Sequence, residues 1–163
     1  MILRRVVNCC EAGRLRESAM GSQRRGACLR ANKGDCAMER YDPLRAPAAA
    51  EWLALSETER MALVEAYHRK ARVRVPNMRL HAAMHAIVET QAALGDETPV
   101  LRTLARLIGE GVDRHEAIHA VAATLAGHIS DITRGDVSDE DPNAPYFAAL
   151  EKLTIKSYRR DFG

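Results

Sequence analysis

Aromatic residues are scarce in this chain: one tryptophan, four tyrosines and two phenylalanines in 163 residues. A core built without them must rely on aliphatic side chains, and the plentiful alanine and leucine favour helix. No segment alternates apolar and polar residues over a useful strand length, which excludes a sandwich or barrel of short strands. No apolar run approaches the ~18 residues needed to span a membrane. Cysteine is missing beyond residue 36, and a body without it suits a reducing cytoplasm. A surplus of positive charge is missing there too. Residues 1–37 hold eight Lys/Arg against three Asp/Glu, whereas the rest holds sixteen against nineteen. A mildly acidic body is a poor nucleic-acid surface, and the Arg102/Arg106 and Arg159-Arg160 pairs read as solvated faces.

The first 37 residues form a block of their own, with Arg4-Arg5, Arg24-Arg25 and all four cysteines (Cys9, Cys10, Cys28 and Cys36). The cysteine spacings match no zinc pattern, and the basic start leads into no apolar signal region. The composition predicts a disordered basic extension. Patterned sequence begins abruptly at Met38, which offers Met38 as an alternative natural start, with 1–37 then an over-long reading. Residues 38–163 are expected to form one domain, a length that can bury a core.

From Tyr41 onward the chain is a succession of helix signals. Ser56-Glu57-Thr58-Glu59 is a capping box. Asn77 caps a helix carrying Leu80, Met84, Ile87, Val88, Gln91 and Leu94 inward, and Gly95 ends it. Thr98-Pro99 opens a helix with Leu101, Leu104, Leu107 and Ile108. Asp113, with Glu116 three residues on, starts one with Ile118, Val121, Leu125, Ile129 and Ile132, and Gly135 ends that. A final helix carries Tyr146, Phe147, Leu150, Leu153 and Ile155. The fold class is all-α, a bundle of about five helices with short connections.

Four of the six histidines fall into two pairs spaced i, i+4: His81/His85 and His115/His119. That spacing places two imidazoles ~5–6 Å apart on one helix face, where both can reach one ion. Glu89 continues the first stripe one turn on. With three short-linked helices running up, down and up, the two pairs lie on parallel helices. Counted from the caps Asn77 and Asp113, their heights differ by only ~3 Å. His81, His85, His115 and His119 are therefore the candidate metal ligands, with Glu89 as a further ligand or supporting partner. The ion would be divalent (zinc, iron or manganese).

Two alternatives attach to the same residues. His115-Glu116-x-x-His119 is formally the H-E-x-x-H of metal-dependent hydrolases, with Glu116 as general base. Glu116 already serves the helix start, however, and no strand is available to align a peptide. The histidines could instead form a structural imidazole–carboxylate network in a non-catalytic interaction module, which leaves room for a protein partner or a homo-oligomer. His68, in a charged helix end, and His128, off the stripe, are expected to be bystanders.

The pattern Asn77-x3-His81-x3-His85-x3-Glu89-x-Gln91, followed by His115-x3-His119, resembles a family of small bacterial helical proteins classed as a domain of unknown function. The resemblance covers about residues 75–130. It implies a bacterial source and paired histidines on two helices, and it supplies no activity. In that family the second pair reads H-x-x-E-H; here Glu116 follows the earlier histidine and Ile118 takes the other place.

Overall fold

In a computed structural model, residues 38–138 and 140–162 are described. The expectations for residues 1–37, their cysteines among them, lie outside the described residues. Among the described residues seven α-helices follow one another: α1 (Ala49–Ala54), α2 (Glu57–Lys70), α3 (Met78–Ala93), α4 (Val100–Gly109), α5 (Arg114–Arg134), α6 (Ala144–Lys152) and α7 (Ile155–Phe162). A 3-10 turn, Gly95–Glu97, joins α3 to α4. There is no strand among the described residues. None of these helices is long and apolar enough to cross a membrane.

The helix starts follow the local chemistry. Ser56 Oγ accepts the Glu59 N–H at 3.3 Å while Glu59 Oε2 accepts the Ser56 N–H at 2.7 Å, completing the box. Asn77 Oδ1 accepts from the Leu80 N–H at 3.0 Å and Asp113 Oδ1 from the Glu116 N–H at 2.8 Å. These bonds satisfy amide groups that the first helical turn leaves without partners. Gly135 ends α5 in the left-handed region at φ 79°, where a side chain would be strained.

The expected final helix divides in two. Leu153 is extended, and Thr154 and Ser157 then start α7 by exchanging backbone N–H to hydroxyl bonds of 3.1 Å each way. This second start raises the count above the five or so helices expected. Arg106 is no simple solvated charge: its guanidinium donates to the carbonyls of Leu150 and Leu153 at the end of α6. That is a cation placed at a helix C-terminus.

Helix α3 lies at the centre, packed against α1, α2, α4 and α5. Glu89, Thr90, Gln91 and Ala92 are all buried, so more than a full turn of α3 has no solvent face. Ala82 and Ala86 face one core with Tyr41, Trp52 and Val64. Val88 and Ala92 face the other with Val100, Leu104, Ile118 and Leu125. Small residues on α3 allow α1 and α2 to approach closely. Trp52 is completely buried and its indole N–H donates to Thr90 Oγ1 at 3.1 Å. The helical stripes were read too wide, because Leu80, Leu101, Ile108, Ile129 and Ile132 are exposed.

Candidate metal centre

The two histidine pairs face each other across the contact between α3 and α5. Within the pairs the ring centroids are 4.6 Å apart (His81, His85) and 4.4 Å apart (His115, His119). Between the pairs, His85 lies 5.0 Å from His115 and 5.0 Å from His119, and His81 lies 5.2 Å from His119.

A fifth histidine joins them, and here the sequence reading is corrected. His68, set aside as a bystander at a charged helix end, is completely buried. Its Nε2 lies 3.0 Å from His81 Nε2 and 3.2 Å from His115 Nε2. The flanking Arg69 and Lys70 are exposed, and that polarity masked it. His68 nevertheless follows the buried Val64 by four residues, only ~40° round the helix, and that was the legible signal. One coordinating atom from each of His68, His81, His85, His115 and His119 lies within 4.8 Å of all the others. His128 stays outside, stacked on Tyr146 at an interplanar angle of 17°.

The hydrogen bonds behind two rings assign their tautomers. His68 Nδ1 is 2.8 Å from the Val64 carbonyl, which can only accept, so Nδ1 carries the proton and Nε2 presents a lone pair. The single Tyr41 hydroxyl proton goes to Glu89 Oε1 at 2.8 Å. His85 Nδ1, 3.3 Å from that hydroxyl oxygen, is left to donate to it. His85 Nε2 is therefore also a bare lone pair; it is buried and without a hydrogen-bond partner, as is His119 Nε2. Leaving a buried polar atom unsatisfied costs about 1–3 kcal/mol. His128 Nε2, outside the cluster, is unsatisfied in the same way; what sets the other two apart is that they belong to a group of donors that could hold a metal ion.

Glu89 sits behind this arrangement. Both its oxygens are engaged by Arg114, at 2.7 and 2.6 Å, and Tyr41 also donates to Oε1. Its carboxylate reaches the histidines through Tyr41 and is not in the converging set, which is five imidazoles. Burial opposes the Arg114 charge, yet the Glu89 carboxylate and Tyr41 hold its pKa above the usual value. Burial and the same carboxylate push Tyr41 far up, so its hydroxyl stays protonated. Arg114 also donates to the Pro43 carbonyl at 3.1 Å, which ties the segment before α1 to this network.

Burial and mutual crowding favour the neutral form of His81, His85, His115 and His119. Burial, then the neighbouring histidines, lower His81 to about 4. Burial with His115 and His68 does the same for His119, also to about 4. The same causes depress His85 further and lower His115 as well. Neutral imidazole is the form that binds metal.

Glu116 takes a different direction. Its backbone N–H is capped by Asp113, but its carboxylate is bound by Arg159 at 2.9 and 3.1 Å on the surface. The reciprocal half of the expected capping box is therefore spent on another partner. Exposed pairs contribute little, so Glu116→Ala is expected to shift stability by less than ~1 kcal/mol and leave metal content unchanged. Elemental analysis beside a melting curve checks both.

Tyr67 and Tyr41 form an aromatic wall beside the cluster. Tyr67 is edge-on to His68 and His115, with centroids at 5.2 and 6.2 Å. Both tyrosines also line a surface cavity of about 480 Å³, together with Leu63, Ala66 and Lys70.

Family models, curated proteins and solved structures were all compared with the chain, and none matches. The resemblance drawn from the histidine pattern thus rests on those residues alone.

Proposed function

We propose that this protein binds one divalent metal ion through His68, His81, His85, His115 and His119. The observation carrying this reading is the convergence of five imidazoles, two of which are turned by outward hydrogen bonds so that bare lone pairs face the centre. Adjacent nitrogens 3.0 and 3.2 Å apart match donors on a common ion, which at bonds of ~2.0–2.1 Å stand about 3.0–3.4 Å apart. Tyr41, Glu89 and Arg114 act as supports that fix the His85 ring, as partners behind metal-binding histidines commonly do. An all-imidazole set suits zinc, iron or nickel, and manganese less well.

Two other readings have less support. A structural imidazole network would give each buried nitrogen a partner, yet His85 Nε2 and His119 Nε2 have none. A hydrolase using Glu116 as base would need that carboxylate free beside the ion, and Arg159 holds it.

Thermal unfolding with and without added zinc, at two pH values, tests the reading. A ligand that binds only the folded chain stabilises it by about 2.7 kcal/mol at a hundred times its Kd, so the melting temperature is expected to rise at pH 7.5. Histidines in the unfolded chain titrate near ~6.5, whereas His81 and His119 do so only at about 4 in the fold. Between those values the unfolded chain takes up protons that the folded one refuses. Stability of the metal-free protein is thus expected to be full above about pH 6.5 and to fall as pH drops towards 4. The response to zinc is expected to disappear over the same window, as protons displace metal. A melting temperature indifferent to zinc at pH 7.5 would contradict the proposal.

A further inference from the structure

We propose that the bound ion keeps one coordination position open to a small anionic donor. This rests on the metal-site reading above and deepens it. The donor spacing argues for it first. Four donors in a tetrahedron at bonds of ~2.0–2.1 Å all stand about 3.3–3.4 Å apart, so a fifth has no place among them. Around a six-coordinate ion, neighbouring donors stand ~3.0 Å apart and opposite ones ~4.2 Å. The observed nitrogens begin at 3.0 and 3.2 Å, and all five donors lie within 4.8 Å of one another. Five donors overfill a tetrahedron, and on a six-coordinate ion they leave one position free.

Burial locates the remaining position. His68 and His85 are enclosed, while His81, His115 and His119 are each half-buried. The side of the cluster nearer to solvent is therefore theirs, away from the core that holds Val64 and Trp52.

Charge selects the occupant. All five donors are neutral, so the ion's two positive charges are not offset by its ligands. Glu89 is neutralised by Arg114, and Glu116 is paired with Arg159. Asp42 and Asp113, whose charges His115 feels, are turned to backbone N–H groups in a turn and a cap and offset the ion only in part, from outside its donor set. His81 lies in the first turn of α3 and His115 in the first turn of α5, so two positive helix ends stand beside the ion. A partly buried, under-compensated dication next to two helix N-termini favours a small anion over a neutral ligand.

The test uses the full chain loaded with cobalt(II), titrated with azide and followed by visible absorption, with metal content measured after desalting. The expected result is a saturable change in the cobalt spectrum with one cobalt per chain retained. A spectrum that ignores azide while cobalt stays bound overturns the open position and leaves the metal site standing. Loss of cobalt on adding azide also overturns it, since the anion then competes for the ion instead of joining it. Failure to take up cobalt before any azide is added overturns the metal reading itself.

Discussion

Replacing His85 with alanine is expected to weaken metal binding by at least ~100-fold, beyond the 10–100-fold typical of losing a partner behind a ligand. His85, like His68, is fully enclosed. Its centroid is 4.6 to 5.0 Å from those of all four others, and its Nε2 has no partner in the protein. Removing the ring takes away a donor, the hydrogen bond to Tyr41 and some packing. The metal-free protein is expected to lose no more than ~0.5–3 kcal/mol, the ordinary range for a buried change, because an unsatisfied nitrogen disappears with the ring. The melting-temperature increment produced by zinc is expected to vanish. His68→Ala should behave similarly, although nothing in the paired spacing marks that residue. A His85→Ala protein that still responds to zinc as wild type does would remove His85 from the site.

The second large effect concerns Arg114. The Arg114–Glu89 pair is bidentate at 2.6 and 2.7 Å, with side-chain exposures of 11% and 0%. Truncating one partner of such a pair leaves a buried charge uncompensated, at a cost of ~3–5 kcal/mol. Arg114→Ala is therefore expected to cost that much in denaturant unfolding. It should also weaken metal binding by about 10–100-fold, because Glu89 orients Tyr41 and Tyr41 orients His85. Replacing both residues with apolar side chains of similar volume is expected to recover much of the stability, since the charge and its partner leave together. It should not recover the affinity, because Tyr41 then lacks its acceptor. Recovery of both would show that the network serves packing alone.

Much of this architecture could be read from the chain, and the failures share a physical cause. Caps are local, so Ser56, Asn77 and Asp113 were found at their positions, and the i, i+4 histidine pairs followed from helical geometry. Residues whose role depends on another element were harder. His68 sits one turn from a solvated helix end, and only the packing of α2 against α3 turns its ring inward. Tyr41 lies before the first helix in a segment without periodicity, yet it touches both His85 and Glu89. Glu89 continues the histidine stripe by spacing, but its bonding to Arg114 spans 25 positions and leaves no local trace. Leu80 and Ile132 look like core residues by spacing, yet both are exposed.

The most direct test of the account is elemental analysis of the full chain, purified without chelators near pH 7.5 and compared with His68→Ala and His85→Ala proteins prepared identically. The account expects close to one divalent ion per wild-type chain and only a trace in either variant. Wild-type protein that carries a small fraction of an ion per chain, and cannot be filled by reloading with zinc, iron or nickel, would contradict it.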